Sequence, residues 1–436
     1  VYKRQVFEEL FRAAGTSFEE HVSLSRPDRL ARHSWHDGSR LDLYADVDES
    51  AAEIERFADS NEADGYRRFA KASEDMFTTL DHSFMRRERP GPIGLSLSLG
   101  PFGIPRLIRT RPFTSLWRDL DRYFHDPRLK QLFGRYATYC GSSPFSAPAT
   151  LALIAHAERA GVWLVDGGMQ RLADALAALL EETGATIHYD AEAAGFLRKG
   201  ERVTGVVLAD GSAMSADAIV FNGDVAAISR GMLGAEFASA VPARKREPRS
   251  LSAVTWCFRG RIEGFPLDHH TVLFGNDYAA EFEDIFEHGR VPDRPTVYIC
   301  AQDRGHGRGA VEAGRERLFM LVNAPPKPMS DDELGRVVDD TFAQLDSHGL
   351  RFHDVDSAVT NRPDDFDERF PGSDGAIYGW PTHGWSGSFR RGGSRSRMQG
   401  LYLAGGTVHP GPGVPMTAIS GRLAATSVLK DLRIRR

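Results

Sequence analysis

The sequence predicts an α/β protein in which a Rossmann-like nucleotide-binding domain is interleaved with a second, mixed-sheet domain. Residues 161–222 have the pattern strand, helix, strand, hairpin and strand, which is typical of part of a nucleotide-binding domain. Residues 250–330 alternate apolar strands with polar loops and therefore predict a second sheet. A strand at 401–404, a Gly-rich loop and a helix close the chain and add a further α/β segment.

The composition excludes several classes of protein. Of 436 residues, 41% are hydrophobic and 26% are charged, as in ordinary globular proteins. Lys and Arg number 54 against 60 Asp and Glu, and the resulting net charge of −6 argues against a general nucleic-acid binder. The three cysteines, Cys140, Cys257 and Cys300, lie far apart. They predict neither a disulfide framework nor a metal site, and they indicate a reducing compartment.

A helical region is predicted ahead of the nucleotide-binding segment. Residues 124–139 have a helical pattern in which Asp126 is the N-cap and Pro127 occupies the first turn. A loop at 141–148 leads to a helix of small residues at 149–160.

Within the nucleotide-binding segment, each element has its own signal. A strand at 161–165 precedes a helix whose apolar face comprises Leu172, Leu176, Leu179 and Leu180. Residues 186–189 are predicted to form a strand, and Asp210-Gly211 is a strong hairpin signal. Residues 218–222 read as a buried strand. In the second domain, strands are predicted at 252–258, 296–301 and 318–323, followed by a helix at 331–345.

The segment 91–117 is unusual because it is apolar, rich in Gly and Pro, and followed by arginines. Two interpretations stay open. It is either a buried loop that leads into a core helix, or a surface that dips into one leaflet of a bilayer with Arg106, Arg109 and Arg111 at the headgroups. No apolar run of about 18 residues occurs, so no membrane-spanning helix is predicted.

The loop at 405–415 combines glycines with prolines between a strand and a helix. Helix N-terminal amides bind electron-rich groups, and glycines let the backbone approach a ligand closely. Other motifs are weaker: residues 305–310 imitate a dinucleotide fingerprint without its β-α-β frame, and His33 with His36, like His269 with His270, is read as a surface pair. An aromatic cluster is either a core seam or the lining of a channel for a long apolar substrate; it comprises Tyr378, Trp380, His383, Trp385 and Phe389.

Several stretches together resemble the FAD-dependent carotenoid desaturase (phytoene desaturase-like) family. The stretches that carry the resemblance are FHDPRLKQLF at 124–133, GSSPFSAP at 141–148, GVW at 161–163, GGM at 167–169 and HPGPGVP at 409–415. Within the family, TVYICAQDR at 296–304, LVNAPP at 321–326 and residues 403–416 look like the 1-hydroxycarotenoid 3,4-desaturase branch. The resemblance covers nearly the whole chain and implies the FAD-binding fold of the amine oxidase and desaturase type.

The resemblance also implies site residues. Ala193 would contact the adenosine side of FAD through its backbone, and Gly405 and Gly406 would lie against the pyrophosphate–ribityl stretch. The isoalloxazine ring would lie near Val414, Pro415 and Met416. Catalytic residues are unknown, with His383 a speculative candidate for a base. No metal is implied.

Family members begin with a strand, a G-x-G-x-x-G turn and a helix, which this sequence lacks. It opens at Val1 and runs at once into an amphipathic helix over 6–11, so we expect an N-terminally truncated fragment that is inactive and cannot hold FAD by itself. The expected division is 1–90 for the remainder of the N-terminal region, 91–160 for a helical lid or membrane-contact region, 161–235 and 396–436 for FAD binding, and 236–395 for substrate binding.

The resemblance implies an oxidoreductase of carotenoid biosynthesis that transfers a hydride to flavin N5 and creates a conjugated C=C bond. The preferred reaction is 3,4-desaturation of an acyclic 1-hydroxycarotenoid by a cytoplasmic protein held peripherally at the membrane. The alternatives are a phytoene desaturase, a flavin-dependent carotenoid isomerase, or a prenyl-binding protein like the GDP-dissociation inhibitors, without redox activity. The carotenoid's end group, the electron acceptor and the oligomeric state are not given by the sequence.

Overall fold

The computed structural model describes residues 4–88, 91–100, 103–244, 248–304 and 314–433. The strands in these ranges are β1 (Leu24–Ser25), β2 (Arg29–Ser34), β3 (Arg40–Tyr44), β4 (Leu164–Val165), β5 (Ala193–Lys199), β6 (Arg202–Leu208), β7 (Ala213–Ser215), β8 (Ile219–Phe221), β9 (Ser252–Glu263), β10 (His270–Leu273), β11 (Val297–Ala301), β12 (Glu316–Ala324), β13 (Arg351–Asn361) and β14 (Leu401–Leu403). The α-helices are α1 (Arg4–Ala13), α2 (Val47–Phe57), α3 (Ser60–Leu80), α4 (Pro92–Ser98), α5 (Gly103–Arg109), α6 (Leu116–Leu120), α7 (Pro127–Gly134), α8 (Leu153–Gly161), α9 (Gln170–Glu182), α10 (Val225–Ser229), α11 (Tyr278–Glu283), α12 (Asp331–Ser347), α13 (Pro363–Arg369) and α14 (Val414–Asp431).

The largest sheet has seven strands in the order β13-β9-β12-β11-β10-β2-β3. Its neighbours pair antiparallel except β10 and β2, which run parallel. The predicted strands of the second domain are confirmed as β9, β11 and β12. The sequence did not predict β13, nor β2 and β3, which come from the N-terminal region and complete the sheet.

The two faces of this sheet differ because side chains alternate along each strand. On β11, Val297, Ile299 and Ala301 are buried in a core that continues onto the predicted helix α12. Tyr298 and Cys300 therefore point to the opposite face. Tyr298 and Cys300 on that second face line a cavity.

A layer of helices packs on the part of the sheet that contains β2 and β3. Phe69 of α3 and Phe133 of α7 lie in one core cluster with Trp35, which follows β2. The predicted start of α7 is confirmed: Asp126 accepts a hydrogen bond from the backbone N–H of Arg128, and Pro127 occupies the first turn. The predicted helix at the N-terminus is confirmed as α1.

The segments predicted to bind a nucleotide form smaller sheets. Strands β8 and β14 pair parallel, and β5, β6 and β7 form an antiparallel meander whose β6–β7 turn contains the predicted Asp210-Gly211. Val203 at the start of β6 hydrogen-bonds through its N–H to the carbonyl of Gln399, which joins the meander to β14.

Three predictions for this region were wrong. Residues 186–189 do not form a strand, because a strand needs a hydrogen-bonded neighbour and no described strand pairs with them. Val220 of the predicted buried strand β8 is 46% exposed, because in the described part of the chain β8 has only β14 beside it. Leu180 is 50% exposed, so the apolar face of α9 is narrower than its leucine spacing predicted.

His33 is buried rather than exposed as predicted. It lies on β2 beneath Phe274, and its Nδ1 is 3.2 Å from the carbonyl oxygen of Leu41. Burial lowers the pKa of His33 to about 3, so its ring is neutral near pH 7. The fingerprint-like stretch at 305–310 lies outside the described residues.

Within the described part of 91–117, helices α4, α5 and α6 form where one of the two interpretations expected a loop. Their apolar side chains divide between the interior and the surface, since Leu95 is buried whereas Ile93 and Leu97 are exposed. Across the described ranges, no helix is both long enough and apolar enough to cross a bilayer.

Candidate functional site

The loop between β14 and α14 brings glycine backbone close to its neighbours. Gly405 has a φ of +110°, and a Cβ at this position would lie 2.6 Å from Asn222 Oδ1. The N–H of Gly405 donates to Ser420 Oγ at 3.2 Å. Glycine is therefore required here both by the backbone conformation and by the lack of space.

The helix that follows begins at Val414, with Pro415 in its first turn. Pro has no N–H to lose at this position, and its fixed φ suits a helix start. The helix is 18 residues long, and the amides of its first turn carry partial positive charge toward the loop. The sequence prediction of strand, Gly-rich loop and helix is confirmed.

A buried arginine holds this loop to the preceding segment. Arg391 is 4% exposed, and its Nη1 donates to the carbonyls of Gly406 at 2.9 Å and Tyr378 at 3.2 Å. Its Nη2 donates to the carbonyl of Trp380 at 2.9 Å. Burial lowers the pKa of Arg391 to about 10, which still leaves it charged at neutral pH.

A first cavity, here called the apolar cavity, has a volume of about 480 Å³ and ends at this loop. Pro412, Pro415 and Met416 line it from the loop and the start of α14, and Leu95, Ile104, Leu107 and Ile108 line it from α4 and α5. A long hydrocarbon could thus reach from the protein surface to the start of α14.

A second cavity, here called the polar chamber, has a volume of about 460 Å³. Tyr139 borders both cavities. The second face of the seven-stranded sheet forms one wall of the polar chamber. The polar side chains that line the chamber include His270, Tyr298, Asn323, Glu281, Arg135 and Glu158. Tyr378 also lines it, and burial raises the pKa of that phenol to about 12.

Several groups around the polar chamber are uncharged or paired. Burial raises the pKa of Glu281 to about 7, against hydrogen bonds from Thr296 and Asn323 that lower it. His270 has a pKa lowered to about 3 by burial, and its Nδ1 lies 2.7 Å from Tyr298 Oη. Glu158 accepts hydrogen bonds from Tyr136 Oη at 2.6 Å and Tyr139 Oη at 2.7 Å.

Comparison with known proteins identifies the family. A sequence model of flavin-containing amine oxidoreductases matches residues 11–429. The chain belongs to this family. Its relatives there include hydroxyneurosporene desaturases from Rubrivivax gelatinosus (45% identity, 98% of this chain and 83% of the relative) and Cereibacter sphaeroides (43% identity, 99% and 87%). A zeta-carotene-forming phytoene desaturase from Myxococcus xanthus is 30% identical over 98% of this chain and 82% of its own length. The chain is thus a carotenoid desaturase of the flavin-containing family.

Solved structures agree with this assignment at the level of the fold. An oxidoreductase from Methanosarcina mazei matches with a TM-score of 0.55 and 14% identity, over 94% of this chain and 82% of that one. Wild-type putrescine oxidase bound to putrescine matches with a TM-score of 0.56 and 11% identity, over 100% and 87%. The predicted fold class is therefore confirmed, whereas the family and the desaturase activity are confirmed by the sequence relatives.

The residues at the β14–α14 loop fit the flavin of this family. The N-terminus of α14 offers positive partial charge, and Pro415 and Met416 offer an apolar surface at the end of a cavity. Gly405 and Gly406 lie in this loop and Val414, Pro415 and Met416 begin α14, and their predicted flavin contacts stay predictions. Ala193 is exposed at the start of β5, on a different sheet from that loop, and its predicted contact stays a prediction.

His383 is engaged by the protein backbone. Its Nε2 accepts a hydrogen bond from the N–H of Ser143 at 3.0 Å, and burial lowers its pKa to about 4. It borders neither of the two cavities. This contact uses the Nε2 lone pair that a base would need, and a role of His383 as the base stays a speculative prediction.

The aromatic cluster of the sequence is divided between several places. Tyr378 lines the polar chamber, whereas Trp385 and Phe389 line the apolar cavity, where Trp385 contacts Phe113 with 5.7 Å between ring centroids. Trp380 is buried beneath the guanidinium of Arg249 at 4.9 Å. Trp380 therefore belongs to the core, whereas a channel for a long apolar substrate lined by the other members stays a prediction.

Two features of the site were missed by sequence reasoning. Arg391 is one of many arginines, and nothing in its neighbourhood marks it as buried. The adjacent His269 and His270, read as a surface pair, line the polar chamber, where their ring nitrogens and Cys300 Sγ lie within 4.8 Å of one another. Such a group could hold a metal ion, although a thiol–imidazole hydrogen bond of 3.7 Å between Cys300 and His269 also accounts for the arrangement.

Proposed function

We propose that this desaturase introduces a C3–C4 double bond into an acyclic 1-hydroxycarotenoid, with FAD as its flavin. The proposal takes its substrate from the relatives named as hydroxyneurosporene desaturases, at 43–45% identity over nearly the whole chain. The observation that carries it is the apolar cavity, which leads from surface helices to the β14–α14 loop. A hydrocarbon chain is the occupant that such a wall favours.

The residues proposed to hold FAD are those of the loop together with Ala193. Gly405 and Gly406 would lie against the pyrophosphate–ribityl stretch, and Val414, Pro415 and Met416 against the isoalloxazine. Ala193 would contact the adenosine side. When bound, the flavin supplies a hydride acceptor for an allylic C–H, and loss of the neighbouring proton completes the new double bond.

The contribution of the protein is proposed to be positioning and exclusion of water. Phe84, Met85, Leu151 and Phe389 line the apolar cavity, and they would hold a flexible polyene in one orientation. Closely packed apolar walls also keep water from the reacting carbon atoms. No side chain is proposed as the base.

We further propose that α4 and α5 contact a membrane, from which an apolar carotenoid would enter. Ile93 and Leu97 lie one turn apart on α4 and are 78% and 76% exposed, and Ile104 and Ile108 are spaced likewise on α5. Several residues of these helices also line the apolar cavity, so the proposed contact surface lies at its entrance. The enzyme would then be held peripherally at the cytoplasmic face of the membrane.

To test the substrate assignment, the holoenzyme is supplied with an acyclic 1-hydroxycarotenoid and, separately, with phytoene. The products are analysed by chromatography and absorption spectroscopy. A red-shifted product lacking two hydrogens, formed from the hydroxylated substrate, is expected. Activity on phytoene alone would contradict the C3–C4 assignment and favour a phytoene desaturase. A product of unchanged mass would favour a carotenoid isomerase.

A further inference from the structure

The polar chamber is a feature that a hydrocarbon substrate does not require. Burying a polar side chain costs free energy unless it is hydrogen-bonded, and an enzyme for an entirely apolar molecule gains nothing from it. Yet His270, Tyr298 and Asn323 all line one chamber in the interior, on neighbouring strands of the same sheet. A ligand with a polar group would find hydrogen-bonding side chains there.

Tyr298 and Asn323 are each oriented by a hydrogen bond to another side chain of the protein. Tyr298 Oη lies 2.7 Å from His270 Nδ1, and Asn323 hydrogen-bonds the buried carboxyl of Glu281, which also accepts from Thr296 Oγ1 at 2.6 Å. Tyr298 and Asn323 are themselves only partly buried, so both retain surface toward the chamber. Each is thus an oriented polar group next to an open space, as binding sites require.

The charges around the chamber favour a neutral ligand. Arg135 and Glu158, which line it, have opposite charges and are joined through Tyr139 Oη, which accepts from Arg135 Nη2 at 3.3 Å and donates to Glu158 Oε1 at 2.7 Å. Burial favours the protonated, uncharged form of Glu281, which also lines the chamber. His270 is neutral because of its burial. An alcohol, which both donates and accepts hydrogen bonds, suits the phenol and the amide.

The chamber also adjoins the loop proposed to hold the flavin. Tyr378 lines the chamber, and Arg391 donates to the carbonyls of both Tyr378 and Gly406. A Cβ on the adjacent Gly379 would lie 2.7 Å from Thr407 Cγ2, so the two segments are in direct contact. In a 1-hydroxycarotenoid the hydroxyl group is on C1, and C1 is two bonds from C3. A side chain that binds this hydroxyl must therefore lie near the reacting carbons.

We propose that the polar chamber binds the hydroxylated end of the carotenoid, and that Tyr298 and Asn323 hydrogen-bond its hydroxyl group. This inference rests on the proposed function and adds the residues that determine specificity. His270 and Glu281 act as positioning residues, through Tyr298 and Asn323 respectively. The apolar cavity holds the remainder of the polyene, and Tyr139 borders both cavities.

The test compares two substrates in holoenzyme variants: an acyclic 1-hydroxycarotenoid and the same carotenoid without its hydroxyl. The measured quantity is the ratio of their kcat/KM values. Tyr298→Phe and Asn323→Leu each remove a hydrogen-bonding group with little change of shape. Each should lower the ratio by about tenfold or more, as expected for one lost hydrogen bond in a buried site, without lowering kcat/KM for the unhydroxylated carotenoid.

Tyr123→Phe is the matched control. Its phenol accepts a hydrogen bond from Arg111 Nη1 at 3.1 Å and lines neither cavity, so the ratio should stay at the wild-type value. Glu281→Gln keeps the shape of the side chain and should lower the ratio less than Asn323→Leu does.

Two outcomes overturn the inference while leaving the proposed function intact. One is a ratio that Tyr298→Phe and Asn323→Leu both leave unchanged, and the other is a wild-type enzyme that desaturates both substrates equally well. A wild-type enzyme that desaturates neither substrate contradicts the proposed function itself, and the inference falls with it.

Discussion

Arg391 donates a hydrogen bond from Nη1 to the carbonyl oxygen of Gly406 at 2.9 Å, in a position where the guanidinium is almost wholly buried. The hydrogen bonds found for this side chain all go to backbone carbonyls, of Gly406, Tyr378 and Trp380. One cation thereby fixes the β14–α14 loop against the segment that lines the polar chamber. The relative position of the two proposed binding regions depends on this residue.

Arg391→Met should destabilise the enzyme and reduce its flavin content. Removing the guanidinium leaves buried carbonyls without donors, at a cost of about 1–3 kcal/mol for each that stays unsatisfied. Thermal unfolding and the ratio of flavin to protein measure the two effects. Arg390→Met is the control, since that side chain is exposed and its hydrogen bond to Ser386 Oγ is at the surface. Equal flavin content and equal Tm in Arg391→Met and wild type would contradict the assigned role.

Gly405→Ala should impair the proposed flavin loop. The added Cβ would meet Asn222 Oδ1 at 2.6 Å, and the φ of +110° is strained for any L-residue with a side chain. We expect a loss of about 2 kcal/mol or more in the free energy of unfolding, with weaker flavin binding in a fluorescence titration. Gly421→Ala is the control variant, because Gly421 lies within α14 and a Cβ added there would have no atom within 4 Å. It should stabilise by up to about 1 kcal/mol. Tight flavin binding by Gly405→Ala would show that this backbone does not approach the cofactor.

Glu281 should make stability depend on pH. Burial raises its pKa to about 7 from an ordinary value of 4.5, so the folded state prefers the protonated form. The corresponding stability is fully present below about pH 4.5 and is lost as the pH rises through about 7. Urea unfolding should therefore show wild type losing about 3 kcal/mol relative to Glu281→Gln between about pH 4.5 and 8. A difference between the two proteins that is constant across this range would mean that the carboxyl is not buried as described.

Replacing exposed apolar residues of α4 and α5 should weaken membrane binding. In the combined variant, Ile93, Leu97, Ile104 and Ile108 are changed to Ser; all four are more than 60% exposed. Each buried apolar side chain contributes about 1.5–3 kcal/mol, so a large fall in co-sedimentation with phosphatidylcholine–phosphatidylglycerol vesicles is expected. The control changes Val355 and Val359 of β13, which are similarly apolar and are exposed on the far edge of the sheet. Vesicle binding that is equal in both variants would favour a purely intramolecular role for these helices.

Local signals in the sequence predicted much of the fold. Asp126 with Pro127 marked a helix start, Asp210-Gly211 marked a hairpin, and the terminal strand, Gly-rich loop and helix were all found. These signals work because a cap or a turn depends on neighbouring residues alone. The stretches at 296–304 and 321–326, quoted for the family resemblance, overlap β11 and β12, whose alternate residues line the polar chamber.

Features that depend on distant partners were not predictable in this way. The parallel pairing of β10 with β2 joins residues more than 200 positions apart, and the burial of His33 follows from it. Residues 186–189 have strand-like composition but no partner strand in the described part of the chain. Arg391 looks like any other arginine until Tyr378, Trp380 and Gly406 are folded around it.

We propose that this enzyme removes hydrogen from a hydroxylated carotenoid and passes the electrons to its flavin. The most direct measurement is an anaerobic single turnover of the holoenzyme with an acyclic 1-hydroxycarotenoid, quenched and analysed by chromatography and mass spectrometry. We predict about one equivalent of a product lacking two hydrogens per bound flavin, together with reduced flavin. Recovery of the carotenoid with its mass unchanged and the flavin still oxidised would contradict the proposed desaturation.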